Sequence, residues 1–509
     1  MTKTYNNYED LITFTRASKG HALRPVSYGD ELVTNGTFDT DSDWTKDAAW
    51  TISNGVASFD DSVNANLQQA NIGLEIGKIY QLSFEITAGA DANFSLFASG
   101  SSEQYIGYTD YAVGNHAVNF ICTGGDGVRI AASKFIGSSF SIDNISVKEV
   151  TFDESDGTLT LFEHPNNVPR VEYDADGNRL GLLVEESRTN LLARSDAKAW
   201  IVSGGGTTTI NTDFTLGAFT GAIRASGGQD WHRMYAPYVS VTSGTTYTIT
   251  AFFKYGTSNN VLLNFRDTAG AQESRITGSA GNLTSSLANA GTVTVLQEEA
   301  LPNAVRTVVV KYVPDFSGSF EFGIGPNSTT SGETVILLAA QLEQASFGTS
   351  YIKTTGSTTT RSADVASIPV ADFGFNVDAG SFVMDVNWAG NTTDVSTVIH
   401  LGDASDRHLV YYNNGNYRYQ VKSANAVTVQ AVATGAEEND VIAASYKKDS
   451  YFFGDGSAIS SDTSGALPAE VLTTLDIGGY SGDNHFNGHI KSIKYYPRQL
   501  TSAQLGDLV

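Results

Sequence analysis

Cysteine, methionine and proline are scarce in this chain of 509 residues, which holds one, three and ten of them, and 31 Lys and Arg face 55 Asp and Glu. A single cysteine, Cys122, builds neither a disulfide framework nor a zinc cluster within one chain. It lies in the apolar run Val118-Asn-Phe-Ile-Cys122, which predicts a buried thiol. The net charge of −24 opposes a polyphosphate partner, which needs clustered Lys and Arg, and disfavours an anionic membrane surface. It suits a soluble surface, or one that recruits divalent cations. No run approaches the length of a bilayer-spanning helix, so neither nucleic-acid binding nor membrane insertion is expected. The opening Met1-Thr-Lys-Thr-Tyr-Asn-Asn7 has no apolar stretch of the secretory kind, which predicts synthesis in the cytosol without a signal peptide. Long runs of Ala, Leu, Glu and Lys are also missing, which excludes a helical bundle or coiled-coil shaft.

What is present points to strands. Fifty glycines and abundant Thr, Ser, Val and Tyr favour short strands joined by tight turns. The length suits three or four domains. Residues 1–29 form a lead-in. Residues 30–150 alternate with period two through Trp50–Ser53, Val56–Phe59, Ile79–Ile86, Phe94–Phe97, Val118–Ile121, Val128–Ala131 and Phe140–Val147, the pattern of a jelly roll. Residues 151–190 include Asp174-Ala-Asp-Gly-Asn178, a hairpin turn by its Asp-Gly pair. Residues 191–350 echo the first domain. Gly77-Lys-Ile-Tyr80 answers to Gly244-Thr-Thr-Tyr247, Phe140–Glu149 to Thr334–Glu343, and Trp44 to Trp200, which predicts two diverged copies of one architecture with both tryptophans packed inside. Residues 351–364 are Thr/Ser-rich and read as a linker. Residues 365–509 form a last sandwich, closed by a short helix with a capping box at Thr501-Ser-Ala-Gln504. The fold class is all-β: tandem sandwiches with very little helix.

Two separated phrases carry a resemblance. Phe14-Thr-Arg-Ala-Ser18 stands near the start; Asn167-Val-Pro-Arg170 and Gly181-Leu-Leu-Val-Glu-Glu-Ser-Arg-Thr-Asn-Leu-Leu192 stand far downstream. Together they resemble a split module of bacteriophage virion proteins, with residues 30–150 inserted between its halves. The two jelly rolls resemble carbohydrate-binding modules. The closing stretch, Phe486-Asn-Gly-His-Ile-Lys-Ser-Ile-Lys-Tyr-Tyr-Pro-Arg-Gln-Leu500, resembles concanavalin-like, laminin-G-type lectin sandwiches. These resemblances imply a structural protein of the virion that displays carbohydrate-binding domains to host-surface glycans, as on a tail fibre, spike or capsid surface. They imply other virion proteins as partners and a homo-oligomer, a trimer first. An architectural capsid-decoration or cement role and a polysaccharide depolymerase stand beside this reading.

No hydrolase signature supports an enzyme. A Gly-x-Ser-x-Gly elbow, a His-Glu-x-x-His pair and the Glu-x-Asp-x-x-Glu spacing of sandwich glycosidases are all missing. The adjacent pairs Glu185-Glu186 and Glu437-Glu438 point to opposite faces of a strand and read as solvated. His485 and His489 fall in loop and strand, where a four-residue spacing stacks no metal ligands. No cofactor is required. A structural calcium at Asp39, Asp41 and Asp43 is the one metal candidate, since these place oxygens on alternate residues, without the Gly and Glu of an EF-hand.

Sugar binding needs aromatic faces beside hydroxyl-bonding groups. Three clusters supply them: Tyr105, Tyr108 and Tyr111 in a loop-like stretch; Trp231, His232, Arg233 and Tyr235; and Tyr411, Asn413, Asn414, Tyr417 and Tyr419 in an Asn-Gly hairpin. In each, packing competes with ligand contact.

Overall fold

A computed structural model describes residues 11–89, 92–134, 139–152, 155–211, 216–217, 219, 221–269, 272–388, 395–437, 439–456, 458–480 and 484–509. The protein is all-β. Among the described residues α-helix is confined to Val370–Phe373 and Ser502–Gly506, and no helix is long and apolar enough to cross a membrane. Two compact units emerge: Pro25–Leu159, and the chain up to Arg24 together with Thr160–Val509.

The unit Pro25–Leu159 is a two-sheet sandwich. One sheet runs through Gly114–Ile121, Ile79–Ala88, Phe140–Thr151, Val56–Phe59 and Trp50–Ser53, and the other through Thr45–Lys46, Ala65–Gln69, Val128–Ala132, Ala92–Ala98 and Gln104–Tyr111. Alternate residues such as Leu82, Phe84, Leu96 and Ile130 meet between the sheets, and Cys122 is buried among them.

The sandwich at Leu191–Ser350 repeats that strand order. Val305–Val313, Tyr247–Tyr255, Thr334–Glu343, Gly221–Ala225 and Thr208–Asn211 form one sheet, with Thr292–Leu301 added at its edge. Ile201–Ser203, Arg233–Tyr235, Gly318–Pro326, Val261–Asp267 and Glu273–Gly278 form the other, extended by Thr284–Ala288. Local details repeat too. The Tyr80 hydroxyl accepts the Glu75 amide at 2.9 Å and the Tyr247 hydroxyl the Thr242 amide at 3.0 Å. The buried indoles of Trp44 and Trp200 each donate to a backbone carbonyl, of Asn35 and Arg194, at 3.1 Å. Both tryptophans are therefore packing residues.

The last sandwich starts well before residue 365. Its first sheet orders Thr13–Thr15, Val365–Pro369, Thr474–Ile477, Ser396–Gly402, Arg407–Asn413, Asn416–Ser423 and Ala426–Thr434. Its second orders Val171–Tyr173, Arg179–Val184, Gly488–Tyr496, Ala379–Trp388, Asn439–Lys447, Ser450–Asp455 and Ala458–Asp462. Phe14, Leu182 and Val184 thus lie in one core with Phe382, Tyr417 and Ile442. Both halves of the split module are strands of this sandwich. The Leu191–Ser350 jelly roll is strung between two of its strands, leaving through Arg188–Asn190 and returning through Thr359–Arg361, which pair antiparallel. The Asp174 turn closes a hairpin, its carboxylate accepting the Asp176 and Asn178 amides at 3.0 and 2.8 Å. At the C-terminus the Thr501 hydroxyl accepts the Gln504 amide and the Gln504 side chain accepts the Thr501 amide, a complete capping box that seats Leu505 in the core.

The module's charged residues converge. Arg16, Arg170, Glu185, Arg361 and Asp364 are all buried. The Asp364 carboxylate accepts from Arg16 at 3.2 Å, from Arg170, and from the Glu185 amide at 2.9 Å. The Glu185 carboxylate pairs with Arg170 at 2.8 Å and Arg361 at 2.7 Å, and accepts the Ser350 hydroxyl at 2.6 Å. Burial works against charge on Glu185, but Arg361 and Arg170 outweigh it and hold the carboxyl at about 2. Two expectations are corrected here. Glu185 is not a solvated carboxylate, because two arginines take it inside. Residues 351–364 are not a free linker: Tyr351, Ile352, Thr354, Arg361 and Asp364 are buried. The partner pair Glu437-Glu438 falls partly outside the described residues at Glu438.

Removing one member of such a cluster strands the opposite charges in a dry interior. Asp364→Ala is expected to cost about 3–5 kcal/mol, measured by denaturant unfolding of the whole chain. The Glu185 carboxyl lies lower folded than its ordinary 4.5, so its contribution is full above that pH and disappears as pH falls from 4.5 towards about 2. Glu185→Gln should flatten the acid limb of a stability–pH profile in that window.

Candidate functional site

The outward face of the sheet built on Gly318–Pro326 gathers the polar groups that the core does not use. Phe320, Phe322 and Ile324 point inward with Met234, Leu263, Phe265 and Ile276. Period two then sends Glu321, Gly323 and Gly325 outward, beside Arg233, Tyr235, Asn264 and Arg275. In register, Tyr235 is opposite Gly323, Gly323 opposite Asn264 and Asn264 opposite Arg275. Gly323 is required by close approach: a Cβ there would lie 2.7 Å from Arg233 Cδ, so the arginine lies across a floor without a side chain.

That floor carries a fixed ion pair. Arg233 Nε donates to Glu321 Oε1 at 2.7 Å, and both residues are buried. Arg233 also donates to the Trp231 carbonyl at 3.3 Å. On the neighbouring strands Asn264 donates to Glu273, which also holds Arg275 at 2.5 Å. Burial works against ionising Glu273, but the bonds and charge of Arg275 outweigh it and its pKa stays low. Beside this cluster stand three rings. Trp231 is 37% exposed and Tyr238 53%, and Tyr235 stacks on Tyr238 with their planes 9° apart. Arg233 lies 6.0 Å from the Tyr235 ring centre.

Of the residues singled out in this cluster, Trp231, Arg233 and Tyr235 share the site, and His232 does not line it. The His232 ring is buried, wedged against Gly204, with its nitrogens 3.1 and 2.8 Å from the Gly205 and Gly227 amides. Burial and the Arg224 charge lower its pKa. Its ring meets Trp231 edge to face, with the ring centres 4.6 Å apart, so it props that indole outward. Tyr238, Glu321, Gly323, Asn264, Glu273 and Arg275 escaped the sequence reading. The signal for Glu321 and Gly323 was Phe320-Glu-Phe-Gly-Ile-Gly325, where Glu and Gly alternate with core residues.

The other clusters disperse. Gln104–Tyr111 is a strand, not a loop. Tyr105 stacks on Phe120 at 4.8 Å and donates to the Gly124 carbonyl, Tyr111 is buried against Phe84 and Phe94, and only Tyr108 is exposed. The Arg407–Asn413 and Asn416–Ser423 strands form the expected hairpin, with Asn414 and Gly415 at positive φ. Register places Tyr412, not Tyr411, opposite Tyr417. Tyr417 and Tyr419 are therefore core residues, while Tyr411 points to the other face and accepts from Gln430 at 3.2 Å. Asn413 is half-buried and Asn414 exposed at the turn.

Asp39, Asp41 and Asp43 do not converge: Asp39 accepts from Thr37 at 2.9 Å, Asp41 pairs with Lys46 at 2.5 Å and Asp43 accepts from Ser42 at 2.6 Å. Among the described residues no three His, Cys, Asp or Glu side chains gather as a metal site. His489 is bonded to Glu172 at 2.7 Å and lies in the strand Gly488–Tyr496.

No protein-family model matches the chain, and no curated protein matches it. Two solved structures that align over most of their own length are built of sandwiches. The N-terminal CBM22 tandem domain of a Paenibacillus barcinonensis protein aligns at 10% identity over 62% of this chain and 98% of its own, with a TM-score of 0.20. Domains LG4-5 of the mouse laminin alpha1 chain align at 8% identity over 59% of this chain and 94% of their own, with a TM-score of 0.21. Neither superposition is close enough to transfer a site.

The face divides into residues that hold the sheet together and residues that do not. Glu321→Ala strands a buried guanidinium and is expected to cost about 3–5 kcal/mol. Trp231→Ala and Tyr238→Ala remove exposed rings and are expected to cost much less, roughly 0.5 kcal/mol each. Thermal unfolding of the three variants measures the contrast.

Proposed function

We propose that the protein binds glycans non-covalently, and that the outward face around Arg233 and Glu321 is where it does so. The observation that carries this is the pairing of exposed aromatic rings with an immobilised ion pair over a glycine floor. Trp231, Tyr235 and Tyr238 offer flat faces to the C–H side of a pyranose, and Arg275 and Glu273, partly exposed beside the buried pair of Arg233 and Glu321, offer oriented donors and acceptors to its hydroxyls. The ion pair is already desolvated and fixed by the sheet, so little ordering cost falls on binding. Nothing at this face calls for bond breaking, and the proposal is a binding protein rather than an enzyme.

The setting we propose is a virion, with the chain displayed on a tail fibre, spike or capsid surface for host recognition. The support is the split module: Arg16, Arg170 and Glu185, which belong to the resembling phrases, are the residues that meet in the buried cluster. Many copies on one particle would turn weak single sites into firm attachment, because a second contact becomes effectively intramolecular.

The test is a glycan array probed with the intact chain, with and without calcium, beside the Trp231→Ala/Tyr238→Ala double variant. Binding to a defined glycan set, reduced at least about tenfold in the variant, is the expected result. Uniform silence of the intact chain, or signals indifferent to both rings, removes the proposal. Detection of the chain in purified phage particles tests the setting.

A further inference from the structure

A second, smaller site lies away from that face. Ser18, Lys19, His21, Glu163, Tyr351, Lys353 and Thr359 are among the residues lining a cavity of about 210 Å³. It is smaller than the clefts of roughly 300–1,000 Å³ that take drug-sized ligands, and it fits about one sugar-sized ring. Its walls come from segments that the ion cluster draws together.

Three side chains define what the cavity takes. The first is His21, which is buried. Its Nδ1 lies 2.9 Å from the Tyr351 carbonyl. A carbonyl only accepts, so Nδ1 carries the proton and Nε2 of the neutral ring is an acceptor. Nε2 is buried and has no hydrogen-bond partner among the described residues, 3.9 Å from the Glu163 carboxylate. Burial, aided by the charges of Lys353 and Lys19, holds the His21 pKa down at about 4, so the ring stays neutral at physiological pH. The second is Lys19, committed to Glu163 at 2.9 Å. The third is Lys353, exposed, with no ion pair among the described residues. The cavity therefore pairs an unsatisfied acceptor in its wall with a surface cation that feels the Glu163 carboxylate but is held by no direct ion pair among the described residues.

A neutral sugar would use the acceptor and ignore the cation. A simple anion would use the cation and leave His21 unsatisfied. We infer that this cavity binds a carboxylated monosaccharide unit, such as a uronic acid, with a ring hydroxyl donating to His21 Nε2 and the carboxylate on Lys353. The inference does not rest on the face around Arg233 and survives its loss.

The intact chain is titrated with sodium galacturonate, galactose and sodium acetate, followed by calorimetry and saturation-transfer NMR. A ligand of this size is expected to bind with a Kd on the order of 1 mM. Galactose is expected to bind about tenfold more weakly, and acetate not measurably. Lys353→Ala, an exposed substitution, should weaken galacturonate about tenfold while Lys353→Arg retains it. Trp231→Ala should leave this binding unchanged, which separates the two sites. No binding of galacturonate up to about 100 mM, equal binding of acetate, or indifference to Lys353→Ala overturns the inference.

Discussion

The fold depends on one carboxylate. Asp364 is buried between Arg16 and Arg170, and its backbone amide is bonded to the Glu185 carbonyl at 2.9 Å. Through it, segments separated by more than a hundred residues are held in fixed register. Arg16 also donates to the Pro165 and Val168 carbonyls, and its backbone amide donates to Asn167 Oδ1 at 3.0 Å. The positions at which the module is split are therefore neighbours in the last sandwich. A long chain excursion between them closes a loop whose ends already meet, and such sites accept domain insertions. The same logic covers the Leu191–Ser350 jelly roll, whose stem strands Arg188–Asn190 and Thr359–Arg361 pair with each other beside the cluster. Both jelly rolls thus interrupt the sequence of one sandwich.

A repeated strand order accounts for the likeness of the jelly rolls but not for the site. On equivalent strands, Asn93 donates to Asp110 at 2.6 Å and Asn264 donates to Glu273. The outward floor differs. Where the second copy has Glu321, Gly323 and Gly325, the first has the short strand Val128–Ala132, with Arg129 lying 4.7 Å over the Phe97 ring. A floor of glycines leaves room for an arginine to lie flat and for aromatic rings to rise beside it. A floor occupied by a phenylalanine does not. Shared topology thus carries two different surfaces, because only inward residues are bound by the common core.

The limits of the sequence reading follow from the same physics. Strands with one buried face, such as Ile79–Ala88, announce themselves by period two, and the Asn414-Gly415 turn and the Thr501 capping box by local chemistry. Ala65–Gln69 went unseen because its residues are mostly polar and lack β-branches, although Leu67 is fully buried. Gln104–Tyr111 went unseen because two register shifts against Ala92–Ala98 break its alternation. The linker-like composition of residues 351–364 conceals buried positions for a deeper reason. Thr, Ser, Arg and Asp signal solvent only when no partner awaits them, and the partners here lie far away in sequence. The site was half legible for a related reason: Trp231, Arg233 and Tyr235 are local, whereas Glu321 meets them only after the sheet forms.

The composition of the ion cluster argues for a role in register rather than in bulk stability. Three arginines face two carboxylates, and the surplus positive charge is taken up by backbone: Arg16 by the Ser18 and Pro165 carbonyls at 2.7 and 2.9 Å, Arg170 by His21 at 3.1 Å, Arg361 by Glu186 at 2.6 Å. Apolar side chains of equal volume would fill the space at lower desolvation cost. They would not distinguish one backbone position from the next. A guanidinium with five donors in a fixed plane does, since a slip by one residue turns its carbonyl partners away. In a sandwich interrupted by two complete domains, where loop closure alone gives little guidance, a directional contact of this kind specifies which segments meet.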